Sequence, residues 1–186
     1  RDLLQVGGLR IDLNKRLGVF SAIVQQKPGL GKTAMMKYMF ILQDVYQVPL
    51  GYDFEIYTYG PYSSEVMEDL DFARHQDILD INRVNYPTGQ SGYEIEPSSN
   101  FKAAVDGGKE FVSEYWEAIQ QVIELFGDKN ATELELSATI IYLYNTYTKN
   151  RWERTLEAIS ANVHDIKPHF DIGTIRNEYR HLEELG

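Results

Sequence analysis

The sequence predicts a mainly α fold of the α+β type, in which helices make up most of the chain and a small β-hairpin supplies the rest. Long segments repeat apolar residues at helical spacing, and short stretches rich in aromatic and β-branched residues lie between turn formers. Hydrophobic residues make up 43% of the 186 residues, as in ordinary globular domains. The length suits one well-cored domain, or one compact module with a helical extension.

Two helices are predicted near the start of the chain. The first covers residues 14–26, and the segment Lys-Pro-Gly-Leu-Gly at 27–31 ends it because proline and glycine form turns. Its apolar face is formed, at steps of four, three and four, by Leu13, Leu17, Phe20 and Val24. The second helix, 32–47, is apolar around most of its circumference, so we expect it to be the most buried one.

A short strand and a third helix follow. Residues 52–59 are dense in aromatic and β-branched residues, and they predict a strand that ends at Gly60-Pro61. The third helix is predicted from Ser63 or Ser64 to about Gln76, with serine as its N-cap. The residues expected to face inward are Val66, Leu70 and Ala73.

The C-terminal part is predicted to be helical. One helix ends at Gly127, and its apolar face carries Phe111, Tyr115, Ile119, Val122, Ile123 and Phe126. Thr132 and Glu135 have the spacing of a capping box, which places the start of the next helix there. A shorter helix is predicted near 152–162, and Asp171 is expected to cap a last one.

The order of these elements predicts the domain organisation. Residues 78–86 and 93–96, on either side of a Pro- and Gly-containing turn, predict a β-hairpin. The order helix, helix, strand, helix, hairpin is close to a winged-helix domain, although the strand falls after the second helix. We therefore predict an N-terminal extension at 1–11, a winged-helix-like unit at 12–100 and a helical unit at 101–186 packed against it.

Composition and charge limit the classes of function. The chain has no cysteine, which excludes disulfides and thiol chemistry. A reducing compartment fits this composition, so we expect a cytoplasmic protein. No apolar run is long enough to span a bilayer, so we expect no membrane partner. The net charge is −10, but residues 1–50 carry seven basic and three acidic side chains, whereas 51–186 carry eleven basic and twenty-five acidic ones. An acidic surface disfavours nucleic-acid backbones and favours basic protein partners.

The segment Gly-Leu-Gly-Lys-Thr at 29–33 has the ending of a phosphate-binding P-loop. The full motif needs a glycine five positions before the Gly of Gly-Lys-Thr, where this chain has Gln26, and it needs a preceding buried strand. We interpret the segment as a helix–turn–helix junction.

The sequence predicts no catalytic residue, no metal site and no cofactor. The histidines lack ligand spacing, no serine has the setting of a nucleophile, and no carboxylate pair is embedded in an apolar stretch. The histidines are His75, His164, His169 and His181. We expect the protein not to be an enzyme.

A winged-helix-like unit raises the alternative of DNA binding. The third helix is the candidate for groove insertion, but its expected exposed residues are acidic, namely Glu65, Glu68, Asp69 and Asp71. Such a face repels phosphates. Basic residues near the start of the chain form the possible phosphate or DNA contact, namely Lys15, Arg16, Lys27 and Lys32, with Lys37 close to them in sequence.

Tyrosines cluster around the Gly60-Pro61 turn. Tyr57, Tyr59 and Tyr62 are the predicted partner-binding residues, because exposed tyrosines supply rigid contact area at protein interfaces. The alternative is that they belong to the core.

Four segments carry a resemblance to known families: KTAMMKYMFILQ at 32–43, FEIYTYGPYSSEV at 54–66, LELSATIIY at 134–142 and IKPHF at 166–170. The chain resembles the uncharacterised bacterial YwgA-like family and is more distantly similar to the Panacea antitoxin domain. This resemblance implies a small protein that neutralises a toxin by direct contact, and it transfers no catalytic residue.

The sequence therefore predicts a non-enzymatic protein-interaction module of an antitoxin-like kind. Its expected partner is another protein, either a toxin or a basic protein. The alternative is a winged-helix DNA-binding transcriptional regulator, which makes nucleic acid the second possible partner.

Overall fold

A computed structural model of the chain describes the backbone of residues 3–186 and the side chains from Leu13 onward. Within these residues the chain forms nine helices and two antiparallel two-stranded sheets, so the predicted mainly α fold of the α+β type is confirmed. In chain order the elements are α1 (Leu3–Gln26), α2 (Lys32–Asp44), β1 (Glu55–Tyr57), β2 (Gly60–Tyr62), α3 (Ser64–His75), β3 (Leu79–Asn85), β4 (Ser91–Pro97), α4 (Phe101–Gly107), α5 (Lys109–Glu114), α6 (Trp116–Phe126), α7 (Ala131–Asn150), α8 (Leu156–Ile166) and α9 (Ile172–Leu185).

The chain divides into two compact units, Arg1–Asp53 with Ser63–Asp128, and Phe54–Tyr62 with Lys129–Gly186. The predicted boundary between residues 100 and 101 does not coincide with this division. Helices α4, α5 and α6 follow that boundary, yet they pack on α1 and α2 and so belong to the first unit. The predicted extension at 1–11 lies partly outside the described residues, and α1 already begins at Leu3.

The first unit is built around α2, as the sequence predicts. Every residue from Met35 to Leu42 is buried, including Lys37, which therefore does not lie on a basic surface. The three residues expected on the inner face of α3 are fully buried: Val66, Leu70 and Ala73. The predicted hairpin is formed by β3 and β4, which pair antiparallel from Leu79↔Pro97 to Asn85↔Ser91.

One helix prediction in this unit needs correction. The helix expected to contain Phe111 to Phe126 is interrupted at Tyr115, so that α5 and α6 are separate helices. Gly108, which separates α4 from α5, closely approaches Gly18 of α1. A Cβ atom on Gly108 would lie 2.6 Å from the Cα atom of Gly18, so only two glycines allow the backbones to meet there.

The second unit contains the last three helices. Its core joins α7, α8 and α9 through Leu136, Ile140, Leu143, Ile159, Val163, Phe170, Ile175 and Tyr179. Asp171 caps α9 as predicted, because its carboxylate accepts hydrogen bonds from the backbone of Gly173 and Thr174.

The other predicted helix starts in this unit were wrong. The capping box of α7 is formed by Asn130 and Glu133, not by Thr132 and Glu135. The helix predicted near 152–162 runs from Leu156 to Ile166, after the N-cap Thr155. None of the described helices combines the length and the apolar content needed to cross a membrane.

Candidate protein-interaction surface

The tyrosine-rich segment folds as a hairpin rather than as the single strand predicted. Strands β1 and β2 pair antiparallel in the register Glu55↔Tyr62, Ile56↔Pro61 and Tyr57↔Gly60, so Gly60-Pro61 lies in a strand and does not end one. The turn consists of residues 58–59, and Gly60 follows it with φ 94°, a left-handed conformation that favours glycine. We call residues 55–62 the tyrosine hairpin.

A buried lysine fixes the tip of the tyrosine hairpin. Lys167, only 3% exposed, lies between α8 and α9, and its ammonium group donates to the carbonyl oxygen of Tyr57 at 2.8 Å. The same ammonium donates to the carbonyl oxygen of Thr58. Two hydrogen bonds from one cation to successive carbonyls hold the turn in a single position, because hydrogen bonds to charged groups are the stronger kind.

A carboxylate neutralises this lysine. The Oε1 atom of Glu135, on α7, lies 3.2 Å from Nζ of Lys167, and both side chains are buried. The imidazole of His169 lies 3.6 Å from the same oxygen and is about half exposed. A buried charge is stable only when it is paired, so Glu135 and Lys167 depend on each other. We call these two residues the anchor pair.

The anchored hairpin presents two tyrosines to solvent. Tyr57 is 56% exposed and Tyr59 is 68% exposed, which makes Tyr59 the most exposed of the large hydrophobic side chains that the structure describes. Tyr62 is half-buried, and its ring contacts that of Tyr57 edge to face at 5.2 Å. The hypothesis that all three belong to the core therefore fails for Tyr57 and Tyr59.

The basic residues expected to contact phosphate make contacts within the chain. Lys27 donates to the carbonyl oxygen of Gly127 at 2.7 Å. The ammonium group of Lys32 lies 4.0 Å from the ring centroid of Tyr93, and that of Lys15 lies 5.4 Å from the ring centroid of Phe111. All three lysines remain partly accessible, and each contacts a different neighbour, two of them through cation–π contacts.

Arg16 belongs to a polar cluster in the first unit. Its guanidinium donates to the carbonyl oxygens of Leu50 and Gly51 at 2.7 and 3.1 Å, and it lies 3.5 Å from a carboxylate oxygen of Asp69. The hydroxyl of Tyr52 donates to Asp69 at 2.7 Å. Asp69 is thus buried, which corrects its predicted place on the exposed face of α3.

Burial governs the protonation of this cluster. Desolvation raises the pKa of the Asp69 carboxyl above its ordinary value, while the Tyr52 hydrogen bond and the charge of Arg16 oppose the rise. Burial, and next the charge of Asp69, raise the pKa of the Tyr52 hydroxyl far above its ordinary value. Tyr52 therefore stays a hydrogen-bond donor, and the cluster is a satisfied structural network around Leu50 and Gly51.

The exposed face of α3 is acidic, as predicted, although it carries fewer carboxylates than predicted. Glu68 and Asp71 are exposed and Glu65 is partly exposed, 3.6 Å from Arg16. These carboxylates oppose the approach of a phosphate backbone.

The segment 29–33 is a helix–turn–helix junction, which confirms the interpretation of its sequence. Helix α1 ends at Gln26, and Gly31 is the N-cap of α2. The N–H of Gly29 donates to the carbonyl oxygen of Ile95 in β4, and the N–H of Ile95 donates to the carbonyl oxygen of Leu30, so both groups are paired within the chain.

The histidines do not assemble into a site. His75 and His164 each place Nδ1 near a backbone carbonyl oxygen, that of Asp71 and that of Phe170 respectively. In the part of the chain that the structure describes, no three His, Asp or Glu side chains converge as metal ligands do.

The sequence pattern indicates the tyrosines as candidates but does not indicate the anchor pair. The spacing of Glu135 predicts a capping box, and Lys167 belongs only to the IKPHF segment. One local signal for Lys167 exists: a proline follows it in a short connection between two helices. Such a connection holds the lysine close to the end of the preceding helix.

No model of a known protein family matches the chain, and no curated protein matches its sequence significantly. The geometry of the tyrosine hairpin therefore supplies the argument for function.

Proposed function

We propose that the protein is a non-enzymatic interaction module of the antitoxin-like kind, and that the tyrosine hairpin contacts its protein partner. The observation that carries this proposal is the exposure of Tyr57 and Tyr59 on a turn whose backbone is held by Lys167. Two large aromatic rings in contact with water lack the favourable free energy of burial. A partner that covers them supplies it.

The anchor pair supports the proposal through preorganisation. A flexible loop loses conformational entropy when it binds, whereas a turn fixed by a buried cation has lost that entropy on folding. Tyrosine adds rigid contact area with few rotatable bonds and a hydroxyl that tolerates water, which suits a surface that must be stable both alone and in a complex.

Charge supports a basic partner. Residues 51–186 contain twenty-five acidic and eleven basic side chains, so a basic protein is attracted over a distance before the tyrosines make contact. A toxin that acts on nucleic acid has the basic surface that this proposal requires.

The test is co-expression with the product of the neighbouring gene, read out as growth rescue and as affinity. The double variant that combines Tyr57→Ala and Tyr59→Ala is expected to bind the partner about thirtyfold more weakly, because an interface anchor contributes about 2 kcal/mol or more. The matched control is Tyr86→Ala, a 44% exposed tyrosine in the first unit. Equal affinity of the double variant and the wild type, with unchanged melting temperature, rules out the hairpin as the contact.

The alternative, a DNA-binding regulator, is supported by the order of α1, α2 and α3 followed by the β3–β4 hairpin. The acidic residues Glu68 and Asp71 oppose it. A gel-shift titration at physiological salt decides between the two. Weak binding without sequence preference supports the interaction module, whereas specific binding with a Kd of about 10⁻⁸ M establishes the regulator.

A further inference from the structure

A groove in the first unit, remote in sequence from the tyrosine hairpin, runs between α1 and the α4–α5 segment and has a volume of about 370 Å³. Its floor consists of the small residues Gly18 and Ala22 of α1. Gly18 contacts Gly108 backbone to backbone, which brings the two segments together at that point. This volume lies within the range of small-molecule sites in proteins.

The walls of the groove are apolar. Val105 and Val112 line one side, and Trp116, 46% exposed, stands at the rim. A half-exposed indole beside two valines leaves hydrophobic surface that a ligand's apolar body can cover.

The rim also carries one cation and two neutral hydrogen-bonding groups. Lys109, Gln25 and Ser113 border the groove, and all three are exposed. Among the described residues, Lys109 has no partner in an ion pair or hydrogen bond, in contrast to Lys102, whose ammonium lies 2.8 Å from Asp106. The groove therefore combines an apolar floor with a positive charge that pairs with no side chain from Leu13 onward, within a chain whose net charge is −10.

We propose that this groove binds a small amphiphilic carboxylate. The apolar body of the ligand lies over Ala22 and between Val105 and Val112, and covers the indole of Trp116. The carboxylate pairs with Lys109, while Gln25 or Ser113 donates a further hydrogen bond. An unbranched alkyl chain suits the groove because Gly18 and Ala22, one helical turn apart on α1, leave room for it beside the two valines.

Decanoate below its micelle concentration is the probe, and tryptophan fluorescence is the readout. The chain has two tryptophans, so Trp152→Phe leaves Trp116 as the only emitter. A saturable blue shift of Trp116 is expected, since the ligand replaces water around the indole. Decanol, which has the same chain and no charge, is expected to bind more weakly.

Two variants separate the parts of the proposal. Lys109→Gln is expected to weaken decanoate roughly fivefold and to abolish the salt dependence of binding, as for an exposed ion pair, while leaving decanol unchanged. Lys102→Gln is the matched control. Ser113→Phe, at an exposed rim position, is expected to block both ligands without unfolding the protein.

The proposal is overturned by several outcomes. A Trp116 emission without saturable change overturns it. So does decanoate binding by the Lys109→Gln variant that is as tight as that of the wild type. A groove that is covered only by a protein partner also overturns it. None of them bears on the tyrosine hairpin, so the two proposals stand or fall separately.

Discussion

The ammonium group of Lys167 donates to the carbonyl oxygen of Tyr57 at 2.8 Å across 110 positions of the chain. The hydrogen bond joins the connection between α8 and α9 to the turn of the tyrosine hairpin. Because Glu135 neutralises the lysine at 3.2 Å, the hairpin depends on a charge pair that is itself buried. Loss of either charge therefore affects both the stability of the second unit and the position of Tyr57.

The first prediction concerns the anchor pair. Lys167→Met is expected to destabilise the second unit by about 3 kcal/mol or more, since it leaves the carboxylate of Glu135 buried and unpaired. It should also speed amide hydrogen exchange in the tyrosine hairpin. Adding Glu135→Leu is expected to recover part of the loss, because two apolar side chains avoid the desolvation cost. Urea denaturation and hydrogen exchange measure the two effects.

A second ion pair in the same unit supplies the control. Lys129 and Glu178 are also 3.2 Å apart, but their side chains are 14% and 15% exposed, against 4% and 7% for the anchor pair. Lys129→Met is expected to cost less, and to leave hydrogen exchange in the hairpin unchanged. Equal losses for Lys129→Met and Lys167→Met, or a loss below about 0.5 kcal/mol for Lys167→Met, contradict the role given to the anchor pair.

Local sequence patterns were sufficient for much of the fold and for naming Tyr57 and Tyr59 as candidate contact residues. Apolar spacing located α2 and the inner face of α3, and turn formers located the β3–β4 hairpin, because these signals act within a few residues. For Tyr57 and Tyr59 the sequence left a place in the core as the alternative, and only the structure shows that both are exposed. The anchor pair could not be predicted, since its energy comes from burial, which depends on how α7 and the α8–α9 connection pack.

The glycine contact between α1 and the α4–α5 segment was not predicted for the same reason. Gly18 and Gly108 are ninety positions apart, and neither lies in a sequence pattern of its own. Both appear ordinary in the sequence. Only the fold shows that their Cα atoms meet at a distance that excludes any side chain.

The second prediction follows from this contact. Gly108→Ala is expected to destabilise the first unit by about 1–3 kcal/mol, because the added Cβ atom lies 2.6 Å from Cα of Gly18 and 2.9 Å from the carbonyl oxygen of Asn14. Both obstacles are backbone atoms and cannot rotate away. Gly108 has φ −105°, which alanine adopts freely, so the loss is steric. Urea denaturation measures it.

Gly107→Ala is the matched control for that substitution. The nearest atom to its added Cβ is 4.0 Å away, so no clash arises, and alanine favours the helix more than glycine does. The expected change is between zero and a gain of about 1 kcal/mol. If the two adjacent substitutions have the same effect, helix propensity rather than the Gly18 contact determines the outcome.

The third prediction concerns alkaline pH. Burial, and next the charge of Asp128, raise the pKa of Tyr38 from 10.0 to about 12. Between these values the unfolded chain loses the phenol proton while the folded chain keeps it. The folded state therefore loses stability as pH rises from 10 to 12. Tyr38→Phe is expected to flatten this fall, and the absorbance of tyrosinate should show one late-titrating group fewer.

Tyr52 also has a raised pKa, so some alkaline destabilisation persists in the Tyr38→Phe variant. An unchanged slope in that variant contradicts the assignment to Tyr38.

The fourth prediction tests which residues cap the start of α7. The side chain of Asn130 accepts a hydrogen bond from the backbone of Glu133 at 2.9 Å, and the Glu133 carboxylate accepts one from the backbone of Asn130 at 3.1 Å. Thr132 and Glu135 have the same spacing, but Glu135 is buried with Lys167 and cannot turn back to the helix start.

Asn130→Ala should therefore cost about 1 kcal/mol of stability. Thr132→Ala should cost nothing or stabilise slightly, because alanine is the better helix former. Thermal unfolding of the two variants measures the difference, and a larger loss for Thr132→Ala than for Asn130→Ala places the cap where the sequence pattern put it.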